Sequence, residues 1–423
     1  MERGCGPRSD ARTVRATDPR SGATTAPRAS SAEAGSRSRS AHLPSLTSLR
    51  FVAAALVLVH HLVIYAPTLT VVSQLASIGY VGVTFFFVLS GFVLTWAWSP
   101  ETKARTFYRR RFARVYPVHL LFVAVSTGVF AEQLNWGALP ANLMLLQAWS
   151  PDDSVVRSFS AVSWSLSCEL FFYATFPLLV RGVLRVRRSL LAGAAVLVLG
   201  MAIGLLLEIR DPALGLLIFH LPVFRMIEFV CGSLAAAAMI RGWSPRTRVP
   251  WAAAFVATSY LSLLILPVVI GYRLEDRWAI TLAMVPSCVL LITSSARVDN
   301  EGGRSILRHH LPVRLGQWSF CVYMAHPAIL ALGAPWLGSR DLVLAGLACI
   351  AVVVAVVLVA WLLYANLERP VERVLRGGGP ARASTLRAFA PVELGPPPVV
   401  GTAHHSVGGG APGFAGGLGS APG

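Results

Sequence analysis

The chain has 423 residues, of which 55% are hydrophobic and 13% are charged, and its formal net charge is +17. This composition, with a mean hydropathy of +0.61, excludes an ordinary soluble domain and is typical of a polytopic helical membrane protein. The basic excess does not indicate a nucleic-acid-binding protein, because the arginines fall between apolar spans and no base-reading module is visible.

Ten apolar spans lie between two polar tails, which predicts an all-α integral membrane protein with about ten transmembrane helices. We interpret 1–42 and 377–423 as disordered cytoplasmic tails around a transmembrane domain at 43–376. The stretch 136–149 is apolar but too short to span, which indicates an interfacial or re-entrant segment. The predicted spans are 49–66, 79–98, 115–131, 162–180, 189–207, 217–240, 251–271, 278–295, 316–336 and 342–364.

The distribution of basic residues tests this count. With ten spans, 31 of the 37 basic residues fall on one side, 5 fall on the other, and Arg225 lies within a span. Because lysine and arginine accumulate on the cytoplasmic side, both termini are predicted to be cytoplasmic. The high usage of arginine, alanine and glycine indicates a GC-rich genome, so we expect the plasma membrane of a bacterial cell. No cleavable signal peptide precedes the first span, which we expect to act as a retained signal anchor.

The first span, LRFVAAALVLVHH, carries two ionisable residues on one face. Arg50 and His61 are eleven residues apart, which at about 100° per residue returns to nearly the same face with a rise of about 16 Å. The pattern predicts a cation at the membrane surface and an imidazole near the midplane. Such groups cost about 2.5–3.5 kcal/mol at that depth and mark functional sites, although His60 or His61 could also bind helices together. His60 points about 100° away, so His61 is the candidate.

Two later spans contain further ionisable residues. In SWSLSCELFFY, Ser165, Glu169 and Tyr173 share one helix face. In FRMIEFVCG, Arg225 and Glu228 are spaced i, i+3 and can pair within the helix. A carboxylate in a span needs a partner or a proton, so Glu169 is either part of a site or the interhelical partner of Arg225.

The first predicted cytoplasmic loop and the ninth span supply the remaining candidates. In FYRRRFARVYP, Arg111 and Arg114 are spaced i, i+3 where a helix enters the membrane, and arginine forks of this kind bind phosphates, although ordinary topology charge explains them equally well. In GQWSFCVYMAHP, Tyr323 and His326 share a span.

Small residues and cysteines have structural interpretations. Gly82 and Gly91 in the second span, and Gly232 in the sixth, are predicted to allow close helix packing, and the phenylalanines of VGVTFFFVLSGFVL to be core or lipid-facing. The six cysteines show no metal-type spacing, so we expect free thiols and no bound metal.

At these residues the chain resembles the acyltransferase-3 family of polytopic membrane O-acyltransferases. LRFVAAALVLVHH resembles its Arg-x10-His signature, GYVGVTFFFVLSGFVLTW its second helix, RRRFARVYP its basic loop and SWSLSCELFFY its Ser-Leu-x-x-Glu element; RMIEFVCG, WSFCVYMAH and ERP resemble later blocks. The resemblance covers about residues 45–373, with mild departures at VYP and at Ser319–Phe320. No SGNH hydrolase-like domain follows the last predicted span, so we expect the type without that module.

The resemblance implies transfer of an acyl group, often acetyl, from a thioester donor to a hydroxyl. The donor, acyl-CoA, is expected as a substrate and no cofactor as a bound group. Its phosphates would bind at the basic cytoplasmic mouth, formed by Arg50, Arg111 and Arg114. His61 would be the general base, with a covalent acyl-histidine as a variant.

The resemblance also gives roles to the other polar residues. Glu169 would orient or assist His61 as the third catalytic residue beside Arg50, and Arg225 would stabilise the oxyanion. The expected acceptor is a hydroxyl on a glycan, a glycolipid or a secondary metabolite such as a macrolide, and the expected surroundings are the lipid bilayer, with no nucleic acid and no metal. The expected substrate-binding residues are Arg111, Arg114, Ser165, Tyr173, Arg225, Glu228, Tyr323 and His326.

Two other classes of function stay open from the residues alone. Charged residues in spans also suit a transporter or flippase of a lipid-linked sugar, although the two halves show no internal repeat. A scaffold protein of the envelope would leave the Arg50 and His61 stripe unexplained.

Overall fold

A computed structural model of the chain describes residues 42–211, 214–269 and 277–376. Within these ranges the backbone forms helices, turns and loops, without any strand. Within the described residues, ten helical segments are long and apolar enough to cross a membrane, the second of them when Thr70–Trp96 is taken as one segment, which confirms the predicted fold class and number of spans. The predicted tails lie outside the described residues, apart from His42. The membrane helices are α1 (Pro44–Tyr65), α2 (Val81–Trp96), α3 (Ala104–Val129), α4 (Trp164–Arg185), α5 (Ser189–Arg210), α6 (Pro222–Ile240), α7 (Val249–Val269), α8 (Arg277–Asn300), α9 (His310–Leu337) and α10 (Leu342–Leu363).

The centre of the bundle depends on a close crossing of α2 and α6. A Cβ atom added to Gly91 would collide with the carbonyl oxygen of Phe229, and one added to Gly232 would collide with that of Val88. Gly82 meets the backbone of α1 in the same way. The backbone of α2 is therefore in direct contact with that of α6, and at Gly82 with that of α1. This close packing is the role predicted for these glycines.

The first turn of α1 is fixed by both α8 and α9. Asp299, in the last turn of α8, accepts hydrogen bonds from the backbone N–H of Ser45 at 2.9 Å and from its hydroxyl at 2.7 Å. On the other side, a Cβ atom on Gly316 of α9 would collide with the carbonyl oxygen of Thr47. These contacts set the position of α1 along the bundle axis.

The positions of Arg50 and His61 along α1 differ from the prediction. Arg50 lies six residues after Pro44, or about 9 Å into the helix, and His61 lies four residues before Tyr65, or about 6 Å from the other end. The helix begins earlier than the hydropathy pattern indicated, because the polar turn of residues 45–48 is itself helical and buried. Arg50 is therefore inside the bundle, and His61 lies nearer the opposite end than the middle.

The apolar stretch 136–149 forms only short helical turns, none longer than five residues, so it does not span. It is anchored by a buried polar network. His119 of α3 lies with its Nε2 2.8 Å from the carbonyl oxygen of Asn142, whose side-chain amide donates to Ser158 Oγ at 2.8 Å. The network holds the loop against α3. The loop connects α3 to α4, which begins at Trp164.

The tenth helix ends in an irregular turn. After α10 the chain forms a π-helical turn, Tyr364–Glu368, and continues into the short helix Arg369–Arg376. Glu368 is buried, and the thiol of Cys321 on α9 donates to its Oε2 at 3.2 Å. A π-turn shifts the direction of the following side chains, and here the carboxylate of Glu368 points into the bundle.

Candidate active site

A polar pocket opens between α1, α2, α3, α4 and α9, with an empty volume of about 720 Å³ including its open mouth. Seven of the residues predicted for the site line it. Aromatic and aliphatic side chains complete the walls, so the polar groups face a largely apolar surface. The polar lining residues are Arg50, Ser90, Arg111, Arg114, Ser165, Glu169, Tyr173 and Tyr323.

Three arginines and one carboxylate, that of Glu169, give the lining of the pocket a net positive charge. The Arg111 guanidinium carbon lies 5.5 Å from the ring centre of Tyr173 and 5.6 Å from that of Phe107. Arg50 and Arg114 interact electrostatically with each other unfavourably and with Glu169 favourably. Such a cluster, facing an open cavity, is suited to bind an anionic group such as a phosphate.

One face of α4 supplies the polar wall of the pocket, as the spacing of its residues predicted. Tyr173 donates a hydrogen bond from its hydroxyl to Glu169 Oε2 at 3.0 Å. One turn before Glu169, Ser165 Oγ lies 2.8 Å from the hydroxyl of Tyr323 on α9. Both hydroxyls lie within reach of the carbonyl oxygen of Val162, at 3.0 and 3.1 Å. This bonded pair closes the inner end of the pocket between α4 and α9.

A pair of histidines lies beyond Tyr323. His61 Nδ1 is 3.2 Å from His326 Nε2 and 2.9 Å from the carbonyl oxygen of Val57. His326 Nδ1 is 3.3 Å from the carbonyl oxygen of Val322. A carbonyl oxygen only accepts, so each ring carries its hydrogen on Nδ1. His61 Nδ1–H then has two acceptors, and His61 Nε2 keeps a free lone pair that can take a proton.

The histidine pair and the pocket are adjacent but separate. Neither His61 nor His326 lines the pocket. The rings of Tyr323 and His326 lie 5.8 Å apart between centroids, so Tyr323 contacts both parts. Glu169 bonds to Tyr173 in the pocket, whereas the contacts of His61 are with Val57 and His326; the structure therefore does not bring Glu169 to His61. His60 contacts the carbonyl oxygen of Ala76 at 2.8 Å instead.

Arg225 and Glu228 form a fully buried pair outside the pocket lining. Arg225 Nε lies 3.0 Å from Glu228 Oε2, which is the intrahelical pairing that the sequence predicted. The guanidinium carbon is 5.0 Å from the ring centre of Phe87 and 5.1 Å from that of Phe219. Phe87 lines the pocket, so the ion pair lies one layer behind the wall and supports it.

Four residues of this region were not predicted from the sequence. Phe86 and Phe87 line the pocket although they were interpreted as core or lipid-facing, and Ser90 joins them as the polar residue that follows them on α2. The buried carboxylate of Glu368 interacts favourably with both Arg50 and Arg114. The sequence did contain one indication of Glu368, since it is an ionisable residue at the end of an apolar span.

Metal-type clusters are absent from the part of the chain that the structure describes: no group of three histidine, cysteine, aspartate or glutamate residues is placed to hold an ion. Five of the cysteines are free and buried, as expected, and Cys5 lies outside the described residues. The five are Cys168, Cys231, Cys288, Cys321 and Cys349.

The helices and the pocket define a polytopic membrane protein with a cationic, solvent-accessible cavity inside its bundle. Residues 43–365 match the model of the acyltransferase-3 family, which is described as an acyltransferase domain, and the chain belongs to this family. It is therefore an enzyme that transfers acyl groups other than amino-acyl groups.

Two named relatives cover most of the chain. The acyltransferase MdmB of Streptomyces mycarofaciens is 31% identical over 370 residues, which are 80% of this chain and 93% of the relative. The exopolysaccharide production protein ExoZ of Rhizobium meliloti (strain 1021) is 28% identical over 313 residues, 70% of this chain and 90% of the relative. No solved structure shows a significant match to the chain.

Proposed function

We propose that this enzyme transfers a short acyl group, acetyl in the first instance, from acyl-CoA to a hydroxyl of a glycan, a glycolipid or a secondary metabolite such as a macrolide. The observation that carries the proposal is the placement of Arg50, Arg111 and Arg114 around one cavity. Acyl-CoA carries several phosphates, and arginine is the side chain best suited to bind them. The pocket has the charge that this donor requires.

The chemistry takes place where the pocket ends. The donor phosphates bind at the arginines, and the acyl-pantetheine arm extends toward Tyr323 and the histidine pair. His61 Nε2 takes the proton of the acceptor hydroxyl as its oxygen attacks the thioester carbonyl. The carbon–sulfur bond then breaks, and the protonated His61 passes that proton to the departing CoA thiolate. In the covalent variant His61 Nε2 itself attacks and carries the acyl group to the acceptor.

The roles of the supporting residues follow from their contacts. Glu169 fixes the hydroxyl of Tyr173 and balances the arginines, rather than orienting His61. His326 orients His61 by accepting from its Nδ1–H. Arg225 is enclosed with Glu228 behind Phe87, so it supports the wall instead of contacting the oxyanion.

Two parts of the proposal rest on the relatives: the class of acceptor, and the location of the enzyme in a bacterial plasma membrane. The name of ExoZ connects one relative to exopolysaccharide production, which supports a glycan acceptor. MdmB is more similar to the chain than ExoZ and covers more of it. Its name says that it is an acyltransferase and does not name an acceptor. Both come from bacteria, which supports a multi-pass protein of the bacterial plasma membrane with the arginine-rich side cytoplasmic.

The test is acyl transfer in isolated membranes. Membranes with the wild type, His61→Ala or His60→Ala receive radiolabelled acetyl-CoA together with polysaccharide, lipid-linked glycan or macrolide. His60→Ala is the control for loss of a neighbouring imidazole: His60 touches His61 edge-on at 5.2 Å between ring centroids, but its own ring nitrogen contacts the carbonyl oxygen of Ala76. Label in an ester with the wild type and His60→Ala, but not with His61→Ala, supports the proposal and identifies the acceptor class.

Two other results would change the proposal. If none of the acceptors is labelled by any short-chain acyl-CoA while the protein is abundant and correctly inserted, the proposed donor or acceptors are wrong. Label that stays on the protein when donor is supplied alone, and that His61→Ala abolishes, would replace direct transfer by the covalent variant.

A further inference from the structure

A second cavity, here called the lateral groove, lies on the other face of α1 and α2 from the pocket. It is bounded by α7, most of which is exposed because this helix packs chiefly against α8. Its empty volume is about 2080 Å³ including its open side. The walls are apolar along α1, α2 and α7, with Val52, Phe85 and Val256 as examples. α1 and α2 separate the groove from the donor pocket, which is lined by other residues of the same helices.

One end of the lateral groove is cationic. Arg248, Arg297 and Arg304 line it there, and none of its lining residues is acidic. Arg248 and Arg304 are exposed. Arg297 donates to the carbonyl oxygens of Pro245 and Thr247, which holds its side chain in place. Its Nε is buried and has no hydrogen-bond partner among the described residues.

The length of the groove fits one leaflet of a bilayer. From Arg248 to Leu261 it follows thirteen residues of α7, or about 20 Å. Half of a hydrocarbon core is about 15 Å, so this distance covers one leaflet and reaches the headgroup level. Toward the far end, the hydroxyl of Tyr260 donates to the carbonyl oxygen of Leu75 at 2.7 Å, which ties α7 to the short helix Thr70–Ala76.

We propose that the lateral groove binds one anionic glycerophospholipid from the leaflet on the arginine-rich side. The lipid phosphate lies against Arg248, Arg297 and Arg304, and its acyl chains lie between α1 and α7. Charge complementarity selects this occupant, because three arginines without an opposing carboxylate attract a net negative headgroup more strongly than a zwitterionic one. The proposal is independent of the acyl-transfer reaction.

The test is lipid binding to the purified full chain. The protein is delipidated in detergent, and dioleoylphosphatidylglycerol or dioleoylphosphatidylcholine is titrated while bound lipid is counted by native mass spectrometry. We expect one saturable phosphatidylglycerol site on the wild type. Each arginine near an anionic surface contributes about fivefold in affinity, so Arg248→Gln with Arg304→Gln is expected to weaken that site about thirtyfold. Arg185→Gln with Arg187→Gln, on the same side but outside the groove, is the control and leaves it unchanged.

A second pair of variants tests the apolar part of the site. Ala253→Trp places a large ring in the lining of the groove, and Ala254→Trp places it on the same helix outside the lining. Only Ala253→Trp is expected to abolish the phosphatidylglycerol site. If both variants retain the site, the acyl chains do not lie in the groove and the proposal is wrong. Equal affinity of the wild type for the two lipids, or equal loss in the arginine control, would also overturn it. Thermal unfolding of each variant separates these results from misfolding.

Discussion

His61 Nδ1 and His326 Nε2 lie 3.2 Å apart on helices α1 and α9, although 265 residues separate them in the sequence. The backbone carbonyls of Val57 and Val322 place the hydrogen on Nδ1 of each ring. His326 therefore acts as an acceptor that fixes the orientation of His61, and a lone pair remains on Nε2 of His61, the proposed general base.

His326→Ala is expected to lower kcat by about ten- to a hundredfold, because loss of the orienting acceptor leaves His61 free to rotate. The KM for acetyl-CoA should change little, since His326 does not line the pocket. His326→Gln, whose amide oxygen can accept from His61 Nδ1–H, should recover part of the loss. Steady-state kinetics in membranes checks this, with His309→Ala on the surface as control. A main effect on KM would contradict the orienting role.

Arg111→Gln and Arg114→Gln are each expected to raise the KM for acetyl-CoA about tenfold or more. Removing one charge-assisted hydrogen bond costs about 1.5–3 kcal/mol, and 1.4 kcal/mol corresponds to a factor of ten. Acetyl-pantetheine, which lacks the nucleotide phosphates, should be used equally by the wild type and the variants. Arg109→Gln is the matched control on an exposed position of the same helix. The same KM change with both donors would show that these arginines do not bind phosphates.

Gly91→Ala is expected to destabilise the protein by at least about 1–3 kcal/mol, because the new methyl group would overlap the carbonyl oxygen of Phe229 and force α2 from α6. Gly128→Ala should be neutral or stabilising, since nothing lies within 4 Å of an added Cβ there and alanine favours a helix by about 1 kcal/mol over glycine. The unfolding midpoint of the detergent-purified protein measures both. Equal midpoints for the two variants would rule out the close crossing of α2 and α6.

Arg225→Met is expected to cost about 3–5 kcal/mol, because it leaves the buried carboxylate of Glu228 without its cation. Adding Glu228→Leu removes that charge as well and should recover more than half of the lost stability. Thermal unfolding of the wild type, both single variants and the double variant forms a double-mutant cycle. Additive losses would mean that the two side chains do not act as a pair.

The sequence predicted the parts of the site that depend on one helix. Ser165, Glu169 and Tyr173 share a face because residues four apart on a helix are neighbours, and all three line the pocket. Arg111 and Arg114 reach the same cavity for the same reason. The number of spans followed from hydropathy and from the distribution of basic residues, both of which are local properties of the chain.

The parts that escaped prediction depend on contacts between distant helices. No local pattern encodes the pairing of His61 with His326, which requires α1 to pack on α9 at one register. Glu368 was missed because a π-turn changes the direction in which its side chain points. Helical periodicity also gave no sign that Phe87 faces the pocket and covers Arg225, because large apolar side chains occur all around α2.

The two hydrogen bonds from Ser45 to Asp299 have a consequence for the rest of the chain. A slip of α1 by one residue would move His61 by 1.5 Å and turn it by about 100°, away from His326. By clamping the first turn, Asp299 prevents that slip and keeps the proposed general base in register with His326. Leu43 belongs to the buried start of this helix, so only insertions or deletions upstream of His42 should be silent in catalysis, leaving that part of the chain free to diverge.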